Sequence, residues 1–175
     1  MNQFTRIDSP LGLMLLTSDG DALTGVYFVG QKYEPAPRKD WVQAPRDALF
    51  ANARTQLSKY FARDPSAFDM PFNLQGTPFQ LRVWRALCAI PHGATLSYSA
   101  LASTIGVPQS VRAVAAAVGR NPISIMVPCH RVIGSDGSLT GYAGGLDRKR
   151  ALLQIETSAP SNFELRKVTG NAARL

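Results

Sequence analysis

In the run Pro128-Cys129-His130-Arg131-Val132 a thiol stands directly before an imidazole. A thiol is a soft nucleophile suited to attack at saturated carbon, but it acts as the thiolate. A free thiol is only a few per cent ionised near pH 7, so a base has to take its proton. His130 is the nearest base in sequence. Consecutive side chains of an extended segment point to opposite faces, so the proton could pass directly or through a bridging water. Glu156 closes the last helix expected from the sequence, where a carboxylate meets the unfavourable end of the helix dipole. A cationic or imidazole partner would account for it. The bland alternatives stand beside these readings: an inert core cysteine and a solvated terminal carboxylate.

Two Cys and two His also raise the question of a metal. Cys88 and His92 lie a turn apart on one helix, and Cys129 and His130 are adjacent. Adjacent ligands make a tetrahedral site awkward and no second close pair exists, so no metal is expected, nor any organic cofactor. Cys88, between Leu87 and Ala89-Ile90, reads as core filling. Two cysteines make no disulfide framework, which points to a cytosolic thiol protein. No apolar run approaches the roughly 20 residues that span a bilayer, and Met1 to Arg6 has no apolar leader core. A cytoplasmic protein without a membrane partner is expected.

The net charge of +7 is unevenly spread. Residues 1–75 carry eight Lys/Arg against eight Asp/Glu, whereas residues 76–175 carry eleven against four. An excess confined to one half suits a polyanion such as nucleic acid, although a solvated basic face would give the same numbers.

The elements that must hold these groups divide near Gln75. Residues 1–75 read as a small α/β scaffold without chemistry of its own. It would be a meander of strands at Phe4–Asp8, Leu13–Thr17 and Leu23–Val29, followed by a loop from Gln31 to Pro45. A helix from Asp47 to Phe61 and a half-buried strand carrying Phe68, Met70, Phe72 and Leu74 complete it. Residues 76–158 read as mostly helical, and residues 159–175 as a loosely held tail. Thr77-Pro78-Phe79-Gln80 is a capping box with Pro at the first helical position, and the helix it opens buries Phe79, Val83, Leu87 and Ile90. A short helix near Ser97, the turn Gly106-Val107-Pro108 and a helix from Gln109 to Val118 suggest a helix-turn-helix. In that third helix Val111, Val114 and Val118 form the buried stripe. Ala113, Ala115, Ala116 and Ala117 form a bare face that could enter a narrow groove or pack on another helix. Ser135-Asp136-Gly137 reads as a hairpin turn, and a last helix spans Asp147 to Glu156.

The pentapeptide Pro128–Val132, preceded by Asn121-Pro122 and followed by Tyr142-Ala143-Gly144-Gly145, closely resembles the O6-alkylguanine-DNA alkyltransferases. The likeness covers about residues 76 to 156, with an N-terminal α/β domain of the family's type. The resemblance implies stoichiometric transfer of an alkyl group from O6-alkylguanine in double-stranded DNA to Cys129, with O4-alkylthymine a further candidate substrate. It implies activation of Cys129 through a water by His130 and then Glu156, with Asn121 tying the third helix to the active-site loop. Tyr98 would rotate the nucleotide and assist protonation of the leaving guanine. Arg112 would fill the vacated stack, with Ala113 and Ala116 against the minor groove. Val132, Tyr142 and Ala143 would line the pocket, with Lys149 near the guanine oxygen. A winged helix-turn-helix-like motif in a monomer is implied, with cooperative assembly on DNA as the alternative. Ala115, Ala116 and Ala143 depart from the family's commoner Gly or Ser. A non-repairing recogniser of alkylated DNA is the competing reading; it would need no acceptor thiol. A cysteine hydrolase would need an oxyanion hole and would leave the helix-turn-helix unused.

Overall fold

The computed structural model describes residues 2–65 and 68–157; the expected tail, 159–175, lies outside them. Strand β1 (Gln3–Ile7) pairs antiparallel with β2 (Met14–Ser18), and β2 with β3 (Leu23–Phe28). Their limits fall within one residue of the sequence expectation, because each turn carries its own chemistry. The Gly12 N–H bonds Ser9 O, and the Asp19 carboxylate accepts from the N–H groups of Asp21 and Ala22.

The sheet has the order β3-β2-β1-β4. Strand β4 (Val42–Gln43) runs parallel to β1 within the stretch read as a loop; two residues are too few for a period-two pattern. Helix α1 (Ala48–Phe61) starts at Asp47, whose side chain accepts from Leu49 N–H, and brings Phe50, Ala53, Leu57 and Tyr60 into the core. The strand expected at Phe68–Leu74 is a correction. Its alternation in burial persists, but it makes a single parallel bridge, Leu23 to Phe72, through Pro71 O and Asn73 N–H. Pro71 has no N–H to continue a ladder.

Helix α2 (Pro78–Cys88) has both halves of its capping box in place. Its buried face is Val83, Trp84 and Leu87, with Ile90 beyond its end. Phe79 is only half-buried and Cys88 is exposed. Trp84 turns the buried stripe away from Cys88, which corrects the core-filling reading of that thiol. Strand β5 (Leu96–Ser97) leads into α3 (Tyr98–Thr104), capped by Ser97, and α4 (Val111–Gly119) follows the turn at Gly106. The two helices form the helix-turn-helix. The Trp84 indole N–H donates to Ala117 O (2.8 Å), fastening α2 to α4. Ala117 is therefore buried, not part of the bare face, and Val111 is half-buried.

Residues 134–138 do form a turn, with Gly134 N–H bonded to Ser138 O. The strand entering it, β6 (Val132–Ile133), nevertheless pairs in parallel with β5, so the expected hairpin is absent. Helix α5 (Leu146–Thr157) closes the described chain. Among the described residues no helix is long and apolar enough to cross a membrane.

Candidate active site

The segment that presents Cys129 is held from two sides. Asn121, directly after the C-cap of α4, donates its amide N–H groups to Ile123 O (3.1 Å), Val127 O (2.8 Å) and Cys129 Sγ (3.1 Å), and its Oδ1 accepts from Ile123 N–H (3.0 Å). From the other side β3 pairs with the segment, Val26 N–H to Pro122 O and Ser124 N–H to Val26 O. Between these ties Ile125 sits at φ 73, a region a β-branched residue adopts only when its surroundings impose it. The N-terminal sheet thus shapes the loop, which local sequence could not reveal. Asn121→Ala would orphan several buried polar groups at once. A loss of about 2–4 kcal/mol is expected, measured by chemical denaturation against wild type.

Beyond the thiol lies a closed polar cluster centred on Glu156. His130 Nε2 lies 2.6 Å from Glu156 Oε1, both side chains fully buried. Arg131 adds Nε to Oε2 (2.8 Å) and Nη2 to Oε1 (3.0 Å), while its Nη1 donates to Ile90 O. The Tyr60 hydroxyl donates to Oε1 (2.8 Å), and Gly93 N–H to Oε2 (3.2 Å). Gly93 is at φ 76, where glycine alone is free of strain. Apart from Arg131 Nη1, the carboxylate is the acceptor for every one of these donors. Burial works against its charge, but the hydrogen bonds from His130 and Arg131 and the Arg131 charge outweigh that and hold its pKa well below the carboxylate range.

This arrangement assigns the imidazole tautomer. Nε2 carries the hydrogen donated to Glu156, which leaves Nδ1 as the basic nitrogen. That Nδ1 is buried and makes no hydrogen bond within the protein, so it is available to accept a proton. Burial lowers the His130 pKa despite Glu156, keeping the ring neutral. Burial also raises the Cys129 pKa, partly offset by the Asn121 hydrogen bond and the Lys149 charge. The resting group is the thiol.

Sequence reasoning missed Tyr60, Arg131 and Gly93. Arg131 stood inside the pentapeptide with no role, and its position beside a pairing His was the available signal. Tyr60 falls inside the helix expected from Asp47 to Phe61, and nothing local links it to a carboxylate 96 residues away.

A cleft of about 610 Å³ opens between α4 and the 140–143 segment. Tyr98, Arg112, Ala115, Ala116, Tyr142 and Ala143 all border it. Cys129 is 5% exposed and does not line its wall. Burial raises the pKa of both Tyr98 and Tyr142, and the Cys129 sulfur, once ionised, raises both further. Tyr98 donates to Thr140 O and Gly141 O. The Tyr142 hydroxyl is buried without a protein partner.

Two of the residues expected at the pocket, Val132 and Lys149, stand outside its lining, while Ala113, expected against DNA, is on the exposed face of α4. Val132 is fully buried beneath the cleft, and Ala113 is exposed on α4 outside its lining. Lys149 is fully buried, with Nζ bonded to Val132 O and Thr140 O (2.7 Å). It clamps the strand after Cys129 to the 140–143 segment, and burial pushes its pKa down to about 8. Among the described residues no cluster of three or more His, Cys, Asp or Glu could hold a metal ion.

Comparison with known proteins covers nearly the whole chain. The family described as "6-O-methylguanine DNA methyltransferase, DNA binding domain" matches residues 78–158, and its companion "ribonuclease-like domain" matches residues 3–74. A methylated-DNA--protein-cysteine methyltransferase of Mycobacterium tuberculosis is 49% identical over 166 residues, 94% of this chain and 99% of that protein. A protein of the same name from Methanosarcina barkeri is 45% identical over 150 residues, 86% and 94% of the two chains. The crystal structure of M. tuberculosis OGT in complex with DNA superposes with a TM-score of 0.82 at 47% identity, covering 89% of this chain and 92% of that one.

Proposed function

This chain belongs to the 6-O-methylguanine DNA methyltransferase family, and from that premise we propose that it repairs DNA by direct reversal, moving the alkyl group of O6-alkylguanine irreversibly onto Cys129. One observation carries the assignment of the acceptor: a buried thiol held by Asn121, followed in the chain by an imidazole whose Nε2 is locked by Glu156 and whose Nδ1 is free. The partner is double-stranded DNA bearing the lesion, bound by a monomer, and the location is the cytoplasm. We divide the chain into a scaffold, 1–75, and a DNA-binding and acceptor unit, 76–158.

The thiol proton passes to His130 Nδ1, through a water where the two side chains diverge. Glu156 steadies the imidazolium that forms. The thiolate sulfur attacks the alkyl carbon, a C–S bond forms and the C–O6 bond breaks, leaving the electron pair on the guanine. Tyr98, whose pKa is raised by burial and by the Cys129 charge, stays a protonated phenol and donates toward that anion. Overall the thiol proton ends on guanine and a thioether remains. A thioether has no easy leaving group, so each molecule acts once. Lys149 holds the pocket wall rather than the substrate, through its bonds to Val132 O and Thr140 O.

The target atom lies within a base stack, so the nucleotide is extruded at a cost of a few kcal/mol. Arg112, in the first turn of α4 and on the cleft edge, occupies the gap. The exposed Ala113 and Ala116 let α4 sit close in the minor groove, whose degenerate edges give sequence-independent binding. For Arg112→Ala we expect the rate on duplex O6-methylguanine to fall about 10–100-fold, since each 1.4 kcal/mol of lost offset is tenfold. Reaction with free O6-methylguanine base should change less than twofold. Single-turnover kinetics on both substrates decides this, and equal losses would refute the role. The acceptor itself is tested by mass analysis of the Cys129 peptide after incubation with methylated duplex. Unmodified peptide under tight binding would favour the recogniser.

A further inference from the structure

The N-terminal half, to which the sequence assigned no chemistry, supplies part of the cleft wall through Lys32 and Tyr33. This segment is pinned in place. Lys32 N–H donates to Ala143 O (3.1 Å), the buried Gln31 side chain accepts from Phe28 N–H (2.8 Å), and the Glu34 carboxylate accepts from Gly30 N–H (2.6 Å). Tyr33 stands at φ 67 and is 48% exposed. Such a backbone is uncommon for a bulky residue and persists only where its surroundings impose it. Two cations flank its ring: Lys32 Nζ lies 4.9 Å and Arg120 Cζ 5.4 Å from the centroid. Hydrogen bonding from Lys32 and then Arg120 lowers the pKa of the phenol. Among the described residues neither cation forms an ion pair with a carboxylate.

We propose that Lys32, Tyr33 and Arg120 form a phosphate-binding site, contributed jointly by the two halves of the chain, for the DNA backbone a short way along the strand from the extruded nucleotide. Two cations outside any carboxylate ion pair, gathered round one phenol, match the charge of a phosphodiester. Arg120 lies eight residues after Arg112, about 12 Å along α4 at 1.5 Å per residue. That separation carries the site past the lesion to a phosphate further along the strand. The inference rests on the repair reading only for its placement relative to the lesion.

The test is the double variant K32Q/R120Q, with K32Q alone as a check against misfolding. Binding to undamaged duplex is measured across a salt series, and single-turnover methyl transfer on duplex and on free O6-methylguanine base. Removing one cation that neutralises a phosphate should reduce the slope of log K against log salt by about 0.9. We therefore expect a reduction of about 1–2 in the double variant and about 1 in K32Q, and a fall in duplex rate at sub-saturating DNA that exceeds any fall in the free-base rate. A wild-type slope in the double variant would overturn the proposal. So would equal losses on duplex and free base, which would mean a distorted pocket. If the slope falls as expected while the wild-type protein leaves Cys129 unmodified by methylated duplex, the phosphate site stands and the repair reading falls.

Discussion

Cys129→Ser will bind O6-methylguanine duplex within about twofold of wild type and transfer nothing to itself over hours, a loss of at least about 1,000-fold in rate. The substitution changes one atom in a side chain that is 5% exposed, so the fold and the DNA-facing surface of α4 are untouched. The chemistry is not. A serine hydroxyl is far less acidic than a thiol, and the neutral imidazole of His130 cannot ionise it toward saturated carbon. Oxygen is also the harder nucleophile, and thiolate character is what suits cysteine to this attack. Each factor of ten corresponds to about 1.36 kcal/mol of barrier, so a 1,000-fold loss requires about 4 kcal/mol. Single-turnover assays with a radiolabelled methyl group, beside a binding isotherm, measure both halves of the expectation. Serine-borne methyl at even a hundredth of the wild-type rate would remove the case for thiolate attack.

Glu156→Gln will damage stability and rate together. The carboxylate accepts from Tyr60, His130, Arg131 and Gly93. A glutamine amide offers one oxygen, turns its N–H groups toward the Arg131 guanidinium, and leaves that cation, 11% exposed, unpaired. Removing one partner of a buried pair costs about 3–5 kcal/mol, read from denaturant midpoints. Transfer slows because the imidazolium formed on thiol ionisation has no counter-charge in the variant.

The pH dependence follows with a definite sign. Glu156 has a depressed pKa in the folded state, so its stabilisation is present above its unfolded pKa and fades as pH falls toward the folded value. Burial depresses His130 as well. The unfolded chain therefore takes up that proton first, below about pH 6.5, and stability again drops with acid. Wild-type melting temperature should decline below about pH 6.5 through His130 and again below about pH 4.5 through Glu156, and in that lower range the Glu156→Gln curve should be flatter because its carboxylate is gone. A variant curve as steep as wild type would show that the acid sensitivity arises elsewhere.

Much of this protein is set by local chemistry and was readable from the chain alone. The meander strands follow from apolar runs bounded by turns with their own hydrogen bonds, and α2 from a capping box that satisfies its first N–H groups. The α3–α4 hairpin follows from a glycine that stops one helix before the next begins. The thiol of Cys129, its adjacent imidazole and the need of Glu156 for a cationic or imidazole partner were legible from residue type and position, and the structure pairs Glu156 with His130 and Arg131. Pairings between segments far apart in the chain were not. The partner of β6 is β5 rather than the strand of a hairpin, and β4 is too short to announce itself. Trp84 decides that Cys88 faces outward and Ala117 inward. Arg131 becomes a partner of Glu156 when the helical half folds on itself, whereas Tyr60, on α1, reaches Glu156, and Lys32 and Tyr33 become part of the cleft, only once the two halves pack together. Sequence specifies a group and its nearest neighbours along the chain; which groups share a buried volume is decided by packing over long separations, and pKa and hydrogen-bond partners are properties of that volume.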